Sequence, residues 1–182
     1  MTPEQASDLR AEVDLVSRET LALVTGMDEA TLVRRPASGG WSVAEILQHL
    51  ILTAEAMQPR VEVAISGLER AGRRSAARSG LGVMGWLLVK ALEPPPRMKS
   101  RTSAPFEPLD LRDPQALAGC LIESNARLAV MIARATGLAT TAASIASPFD
   151  ARVKYNVYAA LRITLVHARR HLWQAREAKA AL

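Results

Sequence analysis

Histidine, cysteine and aromatic residues are scarce in this sequence of 182 residues, which has three histidines, one cysteine and 4% aromatic residues. The single cysteine, Cys120, excludes an intrachain disulfide and is typical of a reducing compartment. The longest apolar run, LGVMGWLLV, ends before Lys90 and is too short to span a bilayer as a helix. The start, MTPEQASDLRAEVD, lacks the basic and apolar regions of a signal peptide. We therefore expect a cytoplasmic protein.

The overall composition is that of a globular protein rich in helix. Hydrophobic residues make up 49% and charged residues 23%. Alanine and leucine abound, and both lose little on entering a helix. The formal charge of +5 is modest and says nothing about the fold. The arginines of RAGRRSAARSG have no interleaved aromatic residues and no nucleic-acid motif around them, so we expect a solvated loop and no nucleic-acid partner.

Capping signals and apolar spacing predict four long helices. They are expected over residues 3–25, over 42–70 with Pro59 as a kink or early break, from Asp113-Pro114 to about Thr136, and over about 152–179. No alternation predicts a sheet, and the residues between these helices are interpreted as loops. The order predicts an all-α four-helix bundle with a long crossover between helices 2 and 3, in a single domain over residues 1–182.

The segment LGVMGWLLVKAL, residues 81–92, interrupts this crossover with a short apolar stretch. It is interpreted as a helix, and three roles stay open for it. Trp86 and its neighbours would cover a site as an apolar lid, or the segment would add a helix to the core. If it is exposed, it becomes a candidate contact for a second copy or a lipid surface.

The stretch HARRHLWQ places His167 and His171 four residues apart. At about 100° per residue the two side chains lie about 40° apart on one helix face. His49, on the second helix, has mostly apolar neighbours on its own face. Imidazoles on facing helices can converge on one metal ion, and three such ligands leave a position open, as in catalytic sites. The alternative is a set of buried histidines bonded to backbone or carboxylate groups without a metal.

Two further polar residues lie one turn from these histidines. Glu45 precedes His49 and would reach the metal or its water, or would instead complete a capping box with Ser42. Gln174 follows His171 and would hydrogen-bond a ligand or bridge two helices. The HxxxH spacing is a weak motif by itself, because Ala168 takes the place of the glutamate found in HExxH.

GWSVAEILQHL, residues 40–50, resembles the start of the second helix in the DinB-like (DinB/YfiT) superfamily, and HARRHLWQ resembles its fourth-helix signature. The resemblance implies a four-helix bundle that holds a divalent metal, nickel or zinc, on His49, His167 and His171. It also implies a homodimer and a small-molecule substrate, with low-molecular-weight thiols used by characterised relatives. Many relatives carry a glutamate where this chain has Ala168, and that departure concerns the reaction more than the fold.

These observations lead to a functional expectation with an open alternative. We expect a divalent-metal-dependent enzyme, a hydrolase or a small-thiol-dependent transferase, without a dedicated nucleophilic side chain and with metal-bound water or thiol as the reacting group. The alternative is a non-catalytic metal-binding or interaction bundle. A membrane partner is not expected, although residues 81–92 and the nearby arginines leave a weaker membrane-surface alternative.

Overall fold

The computed structural model describes residues 1–37, 39–95 and 102–182. Four long helices form a bundle, which confirms the all-α prediction, and shorter elements decorate it. In chain order the elements are α1 Pro3–Val24, α2 Glu29–Val33, α3 Val43–Arg70, α4 Gly82–Leu92, a 3₁₀ turn Ala104–Phe106, α5 Leu117–Ala135, β1 Ser144–Ala146, β2 Lys154–Asn156 and α6 Val157–Ala180. No described helix is long and apolar enough to cross a membrane.

The long helices are arranged so that α1 and α3 each pack against both α5 and α6. Ion pairs show that α1 and α6 run in the same direction. Glu12 pairs with Arg162, and further along both helices Glu19 pairs with Arg176. In the same way Gln58 bonds Ser124 and, about three turns later along both helices, Glu69 pairs with Arg134, so α3 and α5 are also parallel.

Parallel neighbours explain the long crossover. The chain leaves α3 at one end of the bundle and must return to the other end before α5 can start beside it in the same direction. The described residues between α3 and α5, 71–95 and 102–116, belong to this return, which confirms the predicted crossover between the second and third long helices. The crossover matters for function because it passes over the side of α3 that carries His49.

Helix starts follow the capping signals where a side chain can close the first turn. Thr2 and Gln5 form a capping box on α1, and Ser42 and Glu45 form one on α3. The helix α3 then continues through Pro59 to Arg70, so the early break offered as an alternative at Pro59 is not found.

Two predicted boundaries are wrong. The third long helix starts at Leu117, because Asp113 closes a separate turn by accepting from the Gln115 backbone N–H. The last helix starts at Val157, where Asn156 is the cap and accepts from the Ala159 N–H. The preceding residues pair instead as an antiparallel hairpin, with Ile145 opposite Tyr155. The sequence analysis expected no strand, since two strands of three residues show too little alternation to detect.

The apolar core is formed by two clusters along the bundle axis. One surrounds Leu9, Ile65 and Leu161, and the other surrounds Ile46, Leu117 and Leu172. The three histidines lie where α3 and α6 pass from one cluster to the other, beside a cleft lined by residues of both.

Candidate metal centre

The fold brings together all three histidines of the chain. His49 comes from α3, and His167 and His171 come from consecutive turns of α6, which packs antiparallel to α3. One ring nitrogen from each side chain lies within 4.8 Å of the other two. The ring centroid of His49 is 5.3 Å from that of His167 and 4.5 Å from that of His171. His49 is buried, and the other two are partly exposed. The cluster is the one predicted from the spacing.

The orientation of His49 is set by the crossover. Its Nδ1 lies 2.8 Å from the carbonyl oxygen of Phe106, in the 3₁₀ turn. A carbonyl can only accept, so this nitrogen carries the proton and Nε2 is left with its lone pair. That Nε2 lies 3.4 Å from Nε2 of His167. Metal-binding histidines are commonly held in this way, with one ring nitrogen donating to a carbonyl or carboxylate and the other facing the ion.

His171 is oriented by its own helix. Its Nδ1 lies 3.0 Å from Oε1 of Gln174, three residues further along α6. Since an amide oxygen only accepts, Nδ1 is again the protonated nitrogen, and Nε2 keeps its lone pair. Gln174 therefore has the supporting position that the sequence analysis offered for it.

Burial keeps the three imidazoles neutral. It lowers the pKa of His49, with a partial opposing effect from the Phe106 carbonyl. The pKa of His171 is lowered to about 3, first by burial and then by the nearby His49 and Arg170, against a smaller raising effect of its hydrogen bond to Gln174. The pKa of His167 is also well below its ordinary value, first because of burial and then because of the other two histidines. A neutral imidazole is the form that binds a metal.

The donor set fits a divalent transition metal. Two nitrogens bound at about 2.05 Å to a tetrahedral ion lie about 3.4 Å apart, which is the separation of the Nε2 atoms of His49 and His167. Imidazole ligands suit zinc, copper, iron and nickel rather than calcium or magnesium. Three of them leave at least one position open to another ligand.

Aromatic side chains surround the cluster. Both phenylalanines of the chain are here, since Phe149 stacks on Phe106 at 4.6 Å and lies 5.9 Å from His167. Trp41 lies 5.1 Å from His49. Sequence analysis missed Phe106 and Phe149, which lie in the crossover and in the hairpin. The available signal was their number, because the only two phenylalanines both lie in proline-containing loops, APFEP and SPFD.

A narrow cleft of about 30 Å³ opens beside His167. Thr53, Asn125 and Thr164 are polar residues in its wall, and Phe149, 41% exposed, lies at its edge. The two threonine hydroxyls donate to carbonyls of their own helices, and the Asn125 amide N–H donates to Ser17. The oxygens of these three side chains can still accept hydrogen bonds, so the wall of the cleft suits a ligand group that donates one.

Glu45 is held by other partners. Its carboxylate accepts from the Ser42 N–H in the capping box and forms a bidentate ion pair with Arg35. These bonds hold the pKa of Glu45 below its ordinary value against the opposing effect of burial. They support the capping interpretation, while a role of Glu45 toward the metal stays a prediction.

Ala168, which takes the place of the glutamate of the HExxH motif, is 7% exposed and belongs to the apolar cluster around Leu172. The chain therefore has no carboxylate at this position to support the histidines. Trp173 on the same helix is partly exposed. Arg170, beside the cluster, donates to the carbonyl of Ala91 at the end of α4.

The family model of the DinB superfamily matches residues 12–175, and this chain belongs to that superfamily. No curated protein and no solved structure matches the chain. The match spans all four long helices and the three histidines, so it confirms the resemblance inferred from the two sequence blocks.

Proposed function

We propose that the chain is a divalent-metal-dependent enzyme, a hydrolase or a small-thiol-dependent transferase, with His49, His167 and His171 as the metal ligands. The observation that carries the proposal is the paired orientation of His49 and His171. Each donates its Nδ1 proton to a fixed acceptor, Phe106 O or Gln174 Oε1, and keeps Nε2 for a ligand bond. One ring nitrogen of each histidine lies within 4.8 Å of the other two, and Nε2 of His49 is 3.4 Å from Nε2 of His167, so one ion between the rings would engage all three side chains.

The surroundings of the histidines support catalysis over simple storage. His167 and His171 are partly exposed, so an incoming molecule can reach the cluster. A divalent ion on neutral imidazoles lowers the pKa of a bound water or thiol and so supplies a nucleophile near neutral pH. The chain contributes the ligands, the aromatic wall that limits water, and the acceptor oxygens of Thr53 and Thr164, which can hold the proton of a water or thiol in the cleft.

The size of the cleft restricts what enters it. At about 30 Å³ the cleft is far smaller than the roughly 300–1,000 Å³ of a pocket that encloses a whole small molecule. The cleft therefore accommodates a reacting group, while the rest of a substrate must lie outside Phe149. A small molecule with an exposed thiol, amide or ester fits this description. Nickel or zinc is the proposed ion, since both accept three imidazoles.

A non-catalytic metal-binding bundle is the second candidate function. Two observations favour it: the narrow cleft, and Ala168 in place of a carboxylate that could move protons. This candidate predicts a bound metal with no exchangeable ligand. Cobalt substitution tests it, because the visible spectrum of a Co²⁺-loaded enzyme should shift on addition of a small thiol, whereas a closed site should give no shift.

Elemental analysis of untagged protein is the first test of the proposal. We expect close to one divalent metal per chain, lost in His49→Ala, His167→Ala and His171→Ala while helicity stays near wild type. Gln58→Ala is the matched control, because Gln58 is a buried polar residue of α3 that bonds Ser124 away from the histidines. Absence of metal after reconstitution with zinc and nickel, or full metal content in His167→Ala, would contradict the proposal.

A homodimer and a cytoplasmic location stay expectations from the sequence. Sedimentation equilibrium of the purified chain, with and without added zinc, tests the first. A monomer under both conditions would remove it.

A further inference from the structure

The helix α4 exposes an apolar face. Val83, Met84, Trp86 and Leu87 are 80%, 41%, 53% and 48% exposed. On a helical wheel they share an arc of about 160° with Lys90 and Ala91. Hydrophobic residues scattered singly on a surface are ordinary, but four large ones on one arc of an eleven-residue helix form a contiguous patch. We call these four residues the α4 face.

The opposite side of α4 is fixed to the bundle, so the α4 face cannot simply turn inward. Gly85 lies so close to α6 that a Cβ built on it would be 2.5 Å from Cβ of Ala159. Val89 is buried in the core cluster. At the far end the carbonyl of Ala91 accepts from Arg170. Packing against α6 therefore determines which side of α4 faces outward.

Positive charge accompanies the α4 face. Residues 70–95 contain five basic residues and one acidic residue, Glu93, which pairs with Arg169. Lys90 lies on the exposed arc itself. Arg78 is exposed and four residues before Gly82, and so lies within about 14 Å of the helix start along the chain. Lys154 is exposed on β2, which packs against α4.

We propose that the α4 face docks this protein onto an anionic lipid surface, with α4 lying in the plane of the membrane interface. An apolar arc with cationic neighbours is the pattern of a helix that inserts its side chains at the level of the headgroups. Trp86 has the amphipathic ring that favours this level. Lys90 can extend its ammonium group to the lipid phosphates while its stem stays among apolar side chains.

Charge decides between a lipid surface and a second copy. Pairing two α4 faces would bring together the Lys90 residues of two copies, with Arg78 and Lys154 of each copy on neighbouring segments, and these like charges would repel. An anionic membrane instead attracts basic residues near it, each raising the affinity by roughly fivefold. The occupant is therefore an anionic surface rather than another copy of the chain. The length of α4 agrees, since eleven residues rise only about 16 Å and can lie on a bilayer but not span it.

Vesicle co-sedimentation of the full chain tests the proposal. Phosphatidylcholine vesicles with phosphatidylglycerol should bind the protein at low salt, whereas phosphatidylcholine alone should not. Two double variants remove the apolar and the cationic contribution, and each has a control that replaces two exposed residues of the same chemical class elsewhere. The variants are Val83→Ser/Trp86→Ser with Val63→Ser/Val130→Ser as control, and Arg78→Ser/Lys90→Ser with Arg10→Ser/Arg18→Ser as control.

We expect the Val83→Ser/Trp86→Ser variant to lose binding by tenfold or more, and the Arg78→Ser/Lys90→Ser variant by roughly fivefold for each basic residue removed. Vesicle binding by both control variants should stay within about twofold of wild type. Each control removes the same number of charges as its variant, so the change in total charge is matched within each pair. No binding to anionic vesicles at low salt overturns the proposal. Equal losses in variant and control also overturn it, since the effect would then not belong to α4.

Sedimentation equilibrium tests the other candidate occupant of the α4 face, a second copy of the chain. A dimer that Val83→Ser/Trp86→Ser dissociates, together with no vesicle binding, would show that the α4 face pairs two copies, and would overturn the lipid assignment. The test is independent of the metal centre, because His167→Ala leaves α4 unchanged. That variant should therefore bind vesicles like wild type whether or not the proposed enzyme activity exists.

Discussion

The Nδ1–H of His49 donates to the carbonyl oxygen of Phe106 across 2.8 Å, and so links a ligand on α3 to the middle of the crossover. The crossover is fastened to α3 at two further points, where Arg112 donates its N–H to Gln48 and its guanidinium to Glu55. The segment between the second and third long helices is therefore part of the candidate metal centre. It determines which nitrogen of His49 faces the other histidines.

Gln174 orients His171 as the Phe106 carbonyl orients His49, and a substitution can test this role. We expect Gln174→Ala to weaken metal binding by roughly 10- to 100-fold, because His171 loses the acceptor that fixes its ring and tautomer. Gln174→Glu keeps an acceptor oxygen and should retain or strengthen binding. Zinc titration against a chromophoric chelator measures both. Gln58→Ala should match wild type, and an unchanged affinity in Gln174→Ala would show that the bond does not support the ligand.

Acid should destabilise the metal-free protein through the histidines. The folded-state pKa of His171 is lowered to about 3 from 6.5, so below pH 6.5 the unfolded chain takes up a proton that the folded chain does not. Stability is therefore complete above pH 6.5 and decreases as the pH falls toward 3. When the pH is lowered from 8 to 5.5, His171 alone should reduce the free energy of unfolding by about 1.4 kcal/mol.

Urea unfolding of the metal-free chain at the two pH values measures this loss. The interval ends at pH 5.5 because carboxyl groups with an ordinary pKa near 4.5 contribute little above it. His171→Gln should flatten the dependence, and zinc at saturating concentration should stabilise the wild type more at pH 8 than at pH 5.5. The same slope in His171→Gln as in wild type would show that other groups cause the loss.

Placing the glutamate of the HExxH motif after His167 should destabilise this chain. Ala168→Glu places a carboxylate in the apolar cluster around Leu172, and we expect a loss of about 2–4 kcal/mol in unfolding free energy. Ala126→Glu, at an exposed position of α5, should stay within about 0.5 kcal/mol of wild type. A stable Ala168→Glu variant with raised activity would instead show that the core accepts the carboxylate and that the site lacks only this group.

Sequence reasoning could predict the parts of the structure that depend on local signals. Capping boxes at Thr2 and Ser42 gave two helix starts, and the four-residue spacing placed His167 and His171 on one face. The long interval between two apolar helices predicted a crossover without showing why it exists. The reason is the parallel arrangement of α3 and α5, which depends on tertiary packing and leaves no local mark.

The same limit explains what was missed at the metal centre. Phe106 acts through its backbone carbonyl, which every residue has, so no side-chain pattern could identify it. Phe149 reaches His167 because the hairpin from Ser144 to Asn156 places it there, and strands of three residues are too short for a period to be read. The helix α4 was predicted, but its exposure depends on Gly85, whose contact with Ala159 exists only in the folded chain.

The contact between Gly85 and Ala159 provides a test of how α4 packs on α6. Gly85→Ala would bring two Cβ atoms to 2.5 Å, so α4 must move away from α6, and we expect a loss of about 1–3 kcal/mol despite the better helix propensity of alanine. Gly119→Ala, on an exposed face of α5 with nothing near its added Cβ, should be neutral or stabilise by up to about 1 kcal/mol. Hydrogen exchange adds a local measurement, since amides of α4 should exchange faster in Gly85→Ala while those of α3 near His49 stay protected. If Gly85→Ala were as stable as Gly119→Ala and α4 exchanged at the wild-type rate, the close packing of α4 on α6 would be wrong, and with it the fixed outward direction of Trp86.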